Sequence, residues 1–496
     1  MKDKYDVVVI GGGMAGLTCA AWLAKKGLEV ILLEKENRVG GLCASYKKEN
    51  CVLQPGATII SGCEDGFFKQ LLTELKIADK LNFISLPYVF KYYIPGYEIL
   101  EDRDISNYVN TLINLFPQSS EKIKEFFGEL EQIWKELERL RLQDELSVSW
   151  LKRSIVSNYS GKTVTQVIDK MFTDEKLKAI LMGAAASMFA LPPSDVSFIS
   201  YAMILMQWHK GGVFAVKGGM QNLADAFKES IELHGGEVEL QKPVSKILLE
   251  DGKAYAVRLA DGEEIQCKYV VGAINVFRLF LNLIGINNVD IDTVKYLREA
   301  RLPYPMFSVS LAAKGVNIEP TYCCYSPVYN LNEWYTTIEK NMFSIDAQVV
   351  INAVPVADDS LAPQGAKTLT LFLPVPYKTR ASWPSLKERM TKVLIRRAEK
   401  VLPGLSGNII AQDSATPLNY EKYTDNEMGS MTGFAEVPKF AFGQRLSNKT
   451  FIENLFICGQ WAQPGMGVNS AIISGLRASK FILKKEGMDP LRELGL

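Results

Sequence analysis

Along the first thirty-odd residues the apolar pattern changes twice. Asp6–Ile10 is a short, nearly unbroken run of β-formers, and after Gly11, Gly12 and Gly13 the apolar and small residues continue at helical length through Met14–Ala24. Lys25, Lys26 and then Gly27 supply a helix stop, and a second apolar run, Glu29–Leu33, ends on Glu34. The pattern predicts strand, glycine turn, helix, strand, acid.

Two later stretches read as α/β as well. From about Gly211 to Ile286 a helix is followed by a Gly235-Gly236 turn and a strand, then by hairpin strands joined at Asp251-Gly252 and Asp261-Gly262. From Asn454 to about Lys485 come a strand, a glycine-rich turn and a closing helix. Between these blocks lie two long insertions. Asn82–Leu100 predicts short strands and Asp104–Gln207 predicts mostly helix, with Ile123, Phe127, Leu130, Trp134, Leu137 and Leu140 forming an amphipathic stripe. Asn287–Phe442 holds the strand-like runs Phe307–Gly315, Gln348–Pro355 and Thr368–Pro376, and a helix Ser385–Val401 closed by Leu402-Pro403-Gly404. With no internal repeat, the expectation is one domain in three pieces, 1–75, 211–286 and 443–496. A second domain with a helical lid is built from 76–210 and 287–442. The fold class is α/β, a Rossmann-type dinucleotide domain with an inserted α+β substrate domain.

Composition narrows the classes. At 496 residues, 47% hydrophobic and 23% charged, the chain can bury large cores. Lys plus Arg equals Asp plus Glu, both 56, so no basic surplus draws it to nucleic acid. Eight cysteines without a C-x-x-C pair and only two histidines argue against a zinc or iron–sulfur site, so no metal is expected. Cys323 and Cys324 read as packing residues, and the cysteine usage reads as a reducing compartment. The lead Met1–Asp6 runs straight into the first strand, so no signal peptide is expected. The apolar runs Ala179–Pro192 and Val196–Trp208 fall short of the ~20 residues that span a bilayer. The expected location is cytoplasmic, in solution or on a membrane surface. Trp150, Leu151, Lys152 and Arg153 fit either an interfacial contact or a solvated turn.

The candidate chemistry starts at Gly11, Gly13 and Gly16, a G-x-G-x-x-G set between strand and helix. Gly11 permits a sharp turn, Gly13 lets backbone N–H groups approach a pyrophosphate, and Gly16 lets the helix pack close on the strand. The phosphate then meets a helix N-terminus. Glu34 at the end of the second strand can accept both hydroxyls of an unphosphorylated ribose. Arg38 and a second glycine pair, Gly40-Gly41, follow at once; the loop offers further N–H groups and the guanidinium offsets phosphate charge.

The set E-x-x-x-R-x-G-G, "GGVFAVKGGMQNLADAF" in the second block and "NLFICGQWAQPGMGVNSAIISGLRASKFIL" (Asn454–Leu483) in the third resemble the phytoene desaturase, carotenoid isomerase and retinol saturase flavoproteins of the amine oxidase superfamily. "LPPSDVSFISYA" and "DDSLAPQGAKTLTLFLPVPY" extend the resemblance into the insertions. It implies FAD as cofactor, held by Gly11, Gly13, Met14, Ala15, Gly16, Glu34, Lys35, Arg38, Gly40, Gly41 and Leu42. Gly56, Ala57, Thr58, Val244, Gly459, Gln460, Gly467, Val468 and Ala471 complete the implied set. Gly465 and Gly467 would leave room for the flavin ring, and the helix from Val468 would aim its N-terminus at it. Many flavoproteins have Gly-Asp where this chain has Gly459-Gln460, a departure that the desaturase branch tolerates.

The implied reaction is desaturation, saturation or isomerisation of C=C bonds in a long apolar chain, a carotenoid, isoprenoid or acyl compound, by hydride transfer with the flavin. The electron partner is not indicated. Ala179–Ala190 and Phe198–Trp208 read equally as the roof of a greasy tunnel or as plain core. His209, Trp461 and Met466 are candidates for the flavin or substrate face, and His234 reads as a helix-end residue. An amine oxidase or protoporphyrinogen oxidase-like flavoenzyme, or a non-redox GDP-dissociation-inhibitor-like prenyl binder, are the alternatives.

Overall fold

A computed structural model describes residues 2, 4–64, 66–138, 154–441 and 444–494. Leu140 and the Trp150–Arg153 group lie outside them. The fold is a Rossmann-type α/β unit joined to an α+β unit.

The strand Lys4–Ile10 sits inside the first sheet, flanked in parallel by Val30–Leu33 and Glu264–Gly272. Its run is unbroken because both faces are covered. Val7 and Val9 pack with Leu17, Ala20 and Leu23 of the helix Met14–Lys25, while Val8 and Ile10 pack with Leu279 and Leu283 of a π-helical turn, Arg278–Gly285. Glu237–Glu239 and Leu455–Ile457 add parallel neighbours, and the hairpin Val244–Glu250 and Lys253–Leu259 extends one edge antiparallel. The C-terminal ends of the parallel strands therefore converge, and with them Gly11–Gly13, Glu34, Ala273 and Gly459.

The closing helix Val468–Lys485 lies against the first helix. A Cβ on Gly475 would stand 2.4 Å from the carbonyl oxygen of Ala15, so only glycine permits this approach.

The second sheet runs in the order Ile409–Ala415, Met306–Lys314, Ala366–Pro374, Val349–Asn352, Tyr322–Tyr325, Tyr88–Ile94, Tyr97–Asp102. Phe307, Val309, Leu311, Leu369 and Leu371 on one face bury the helix Trp383–Ala398. That helix begins before the expected Ser385 because Ser382 occupies its cap position and Pro384 fits the first turn, where no N–H is needed. The other face looks toward the first unit and the helices Glu175–Phe189 and Phe198–Gly211. Helix Ser120–Glu138 buries Ile123, Phe127, Leu130 and Leu137 of the predicted stripe, with Trp134 partly buried beside them. Val213–Val216 is outside the first sheet: it pairs with Phe83–Leu86 and ties the two units together.

Candidate functional site

A cavity of about 380 Å³ opens where the parallel strands end and runs on beneath the second sheet. Of the candidate residues taken from the sequence, every one but Gly16, His209 and Gly465 borders it.

At one end the wall is mostly main chain. Gly11 has φ +105°, and a Cβ there would meet the Ala273 carbonyl oxygen at 2.7 Å. A Cβ on Gly16 would fall 2.0 Å from the Gly11 carbonyl oxygen, so this glycine holds the helix against the turn without touching the cavity. Around Gly13 an added Cβ would meet nothing within 4 Å; the space in front of the helix N-terminus is open. The second glycine pair packs directly on this turn, with Gly40 N–H donating to the Gly12 carbonyl at 2.8 Å. Gly56 lies against Leu42, whose carbonyl accepts from Ala57 N–H at 2.9 Å.

Glu34 accepts from Gly12 N–H at 2.6 Å on one carboxylate oxygen and from Glu36 N–H at 2.9 Å on the other. Burial pushes its pKa above the ordinary value, and the two N–H groups oppose that shift. Arg38 is anchored by donating to the Ser45 carbonyl at 2.9 Å. Lys35 pairs with Asp425 at 3.0 Å, and Arg278 reaches the same carboxylate at 3.4 Å. Among the described residues, the charged ones bordering the cavity all gather here: Glu34, Lys35, Glu36, Arg38, Lys242, Arg278 and Asp425.

The middle of the cavity is closed by the turn Gly459–Gln463. Ser474 Oγ accepts from Gly459 N–H at 3.0 Å and donates to the Gln463 carbonyl at 2.7 Å. Asn448 Nδ2 donates to the Ile457 carbonyl at 3.0 Å. Beneath, Arg445 donates to the Gln460 carbonyl at 2.7 Å and pairs with Glu436, which also accepts from Ser200 Oγ at 2.8 Å. The expected role of Gly465 needs correction. A Cβ on Gly465 would meet Glu436 Oε1 at 2.9 Å and Arg445 Nε at 3.0 Å, so its missing side chain clears this buried ion pair rather than a ring; around Gly467 nothing lies within 4 Å. The helix Val468–Lys485 then starts on the cavity wall, clipped to the Ser61 segment by Asn469, which donates to the Ser61 carbonyl at 2.9 Å and accepts its N–H at 3.1 Å.

At the far end side chains make the wall. Met188 and Ile204 and Trp208 come from the two long helices, Met306 and Phe372 from the second sheet, and Met466 from the glycine loop. The remaining bulk of Ala179–Ala190 and Phe198–Trp208 packs into core instead.

His209 is not on this wall. Its side chain is fully enclosed, Nε2 bonding Glu101 at 2.8 Å and Nδ1 facing the Arg103 carbonyl at 3.0 Å, with Tyr108 beside the ring. The helix that puts Trp208 on the cavity turns its next residue away from it. Trp461 borders the cavity but is pinned, donating to Asn426 Oδ1 at 3.1 Å with its ring edge-on to Phe434. His234 bonds the Ser230 carbonyl of its own helix, at 2.8 Å.

Sequence reasoning missed Tyr423, Asp425, Lys242 and Arg278 at the charged end, and Asn275, whose Oδ1 accepts from Phe277 N–H at 2.7 Å while its buried Nδ2 has no partner among the described residues. It also missed Tyr304, Tyr322, Asn352 and Phe372. Asn352 carried a signal, a lone amide in the apolar run Val349–Val356; the others stand in no readable spacing.

Residues 14–279, more than half of the chain, match the family described as flavin containing amine oxidoreductase. Over 98% of its length the chain is 24% identical to the chloroplastic prolycopene isomerase of Daucus carota, covering 81% of that protein. It is 23% identical to the lycopene-forming phytoene desaturase of Pseudescherichia vulneris, with 96% of this chain and 99% of that one covered. A crystal structure of an oxidoreductase from Methanosarcina mazei superposes with a TM-score of 0.68 at 18% identity, covering 95% and 99% of the two chains.

Proposed function

The chain belongs to the flavin containing amine oxidoreductase family, and from that premise we propose that it desaturates, saturates or isomerises C=C bonds of a long apolar chain, a carotenoid, other isoprenoid or acyl compound. It is an FAD-dependent oxidoreductase. One observation carries the reading of the substrate: a single cavity joins a charged, glycine-built end to a slot walled by methionine, tryptophan and phenylalanine.

The residues present fit FAD. The space in front of Gly13 is open where a diphosphate needs backbone N–H groups, while Gly11 and Gly16 leave no room for a side chain behind it. Glu34, at the cavity edge, would accept ribose hydroxyls, Arg38 and the Gly40-Gly41 turn would serve the diphosphate, and Asn275 Nδ2, without a partner among the described residues, would offer a further donor. Gln460 and the helix start at Gly467–Ala471 border the cavity and would hold the ring, where the N-terminal end of the helix dipole would favour negative charge. When bound, FAD supplies hydride chemistry. The protein supplies orientation and dryness, through Trp208, Met188 and Phe372 across from the glycine loop.

We assign the cofactor to the unit formed by 1–75, 211–286 and 443–496 and the slot to 76–210 and 287–442, with Tyr423–Asn426 reaching across to close the charged end. An amine reading gains no support, because among the described residues no carboxylate borders the apolar end to hold an ammonium group. Eight free thiols fit a reducing, cytoplasmic setting. No helix among the described residues is long and apolar enough to cross a membrane, and a bilayer-soluble substrate favours work at a membrane surface.

The test is anaerobic. FAD-loaded protein is reduced and mixed with polyene and isoprenoid fractions, and flavin reoxidation is followed by absorbance. Reoxidation by an unsaturated chain, with the altered chain identified by mass, is the expected outcome. A colourless protein that takes up no FAD overturns the reading, and so does one whose reduced form is indifferent to every such fraction while its oxidised form neither desaturates nor isomerises any of them.

A further inference from the structure

The apolar end has few polar groups: Ser187, Gln207 and Tyr304 border it, and the second sheet adds a further set. Across the cavity-side face of the second sheet, Tyr322, Asn352, Thr370, Ser310 and Asp413 stand in one cross-strand row. On the opposite face the adjacent row is Cys323, Ile351, Leu371 and Val309, packed beneath a helix. A polar row in a buried face has to satisfy itself.

Away from the cavity it does. Ser310 and Thr370 share a hydrogen bond at 2.9 Å, Thr370 donates to the Gln54 carbonyl at 2.9 Å, and Asp413 accepts from Tyr46 at 2.9 Å. At the cavity edge the satisfaction stops. Asn352, 1% exposed, accepts the Thr58 hydroxyl on Oδ1 at 2.8 Å, and this bond leaves Nδ2 as the unused half of the amide. Among the described residues neither that Nδ2 nor the Tyr322 hydroxyl has a protein partner, and both residues border the cavity. Facing residues on neighbouring antiparallel strands bring their Cβ atoms to about 5 Å, so the two donors can converge on one atom. Burial raises the Tyr322 pKa, which keeps its proton on the oxygen and available to donate.

We propose that Asn352 and Tyr322 form a docking site for one hydroxyl or carbonyl oxygen on an otherwise apolar chain, so that the preferred substrate is an oxygenated long-chain compound and not a pure hydrocarbon. The inference rests on the long-chain reading above and narrows it. A hydrocarbon strips water from both donors and gives nothing back, whereas an oxygen at this point satisfies both. Thr58 comes from the segment that borders the cofactor end, so the same hydrogen bond that orients the amide couples the oxygen site to the cofactor side.

The experiment uses FAD-loaded full-length protein and a matched pair of probes, a long isoprenoid alcohol and the hydrocarbon of the same carbon skeleton. Affinity is read by quenching of flavin and tryptophan fluorescence, Trp208 being on the wall. The alcohol is expected to bind about 10-fold tighter or more, the range of one to two satisfied buried donors. Asn352→Leu and Tyr322→Phe should each weaken the alcohol and leave the hydrocarbon unchanged or tighter, with the flavin spectrum retained. Equal affinities in the unmodified protein, or a preference for the hydrocarbon, overturn the proposal without any variant having to fold. Binding of neither probe overturns the long-chain reading itself and this inference with it.

Discussion

At its Glu34 end the cavity is walled largely by main chain, held by Gly11, Gly16 and Gly56, which admit no side chain; at its Trp208 end it is walled by side chains projecting from helices and strands. The first end gathers all of the charge described along the cavity, and the second is uncharged and mostly apolar, with the Asn352–Tyr322 edge among its few polar groups. Main-chain donors at a helix start suit a group that never changes, such as a diphosphate. A wall of Met188, Ile204, Met306 and Phe372 suits a ligand recognised by shape, and it can be altered residue by residue without disturbing the backbone. The two ends should accordingly respond to substitution in different ways.

The most damaging change belongs to the main-chain end. Gly16→Val puts a branched side chain where even a Cβ would meet the Gly11 carbonyl oxygen at 2.0 Å, and overpacking against backbone should remove about 3 kcal/mol or more. Thermal unfolding and flavin content should collapse together; a stable yellow variant would show that the turn yields, and the distinction between the ends would weaken. Next is His209→Leu, behind the apolar end. Removing the enclosed hydrogen bond to Glu101 at 2.8 Å should lower stability by about 1–3 kcal/mol. The flavin spectrum below the unfolding temperature should stay unchanged, since His209 faces no part of the cavity. A shifted flavin spectrum in folded protein would return the residue to the site.

Glu34→Gln should act on affinity more than on folding. An amide keeps one acceptor for Gly12 and Glu36 N–H, so FAD should bind about 10-fold more weakly by titration. The pH dependence of the apoprotein gives a second readout. Burial raises the folded pKa of Glu34, so the folded state binds this proton more tightly than the unfolded chain. Its contribution is fully present below the ordinary carboxylate value and is lost as pH rises through the raised one. Glu34→Gln should flatten that fall in urea titrations across the acidic range; an unaltered slope would count against it. The smallest effect is expected from Asp425→Asn, which unties Lys35 and Arg278 at a partly exposed site. Such pairs contribute up to about 1 kcal/mol, so FAD should dissociate roughly two- to fivefold faster at low salt and alike at high salt.

The same division explains what the sequence made legible. Gly11, Gly13, Gly16, Gly40 and Gly41 were readable because backbone geometry fixes both residue type and spacing. The convergence of the opening and closing segments followed from their shared strand–turn–helix pattern. Gly465 was assigned its clearance on the wrong side because the pair beneath it, Glu436 and Arg445, has no motif of its own. His209 was misplaced because a position beside a glycine pair says nothing about which way a helix turns its side chain. Tyr322 and Phe372 were unreadable, since many residues satisfy an apolar wall and the register that brings distant strands together is a property of the whole sheet. Asn352 was the exception, conspicuous in an apolar strand, yet its meaning depends on Thr58 approaching from another segment.

The contact of Gly475 with the Ala15 carbonyl has a consequence for how the protein is made. The first helix, Met14–Lys25, leaves the ribosome long before Val468–Lys485, the helix that covers it. Until that helix emerges the dinucleotide turn exists without its cover, with an apolar helix face waiting for a partner far along the chain. Cofactor loading then has to follow the arrival of the second helix, and the glycine contact between the two helices is what commits the turn to its cover.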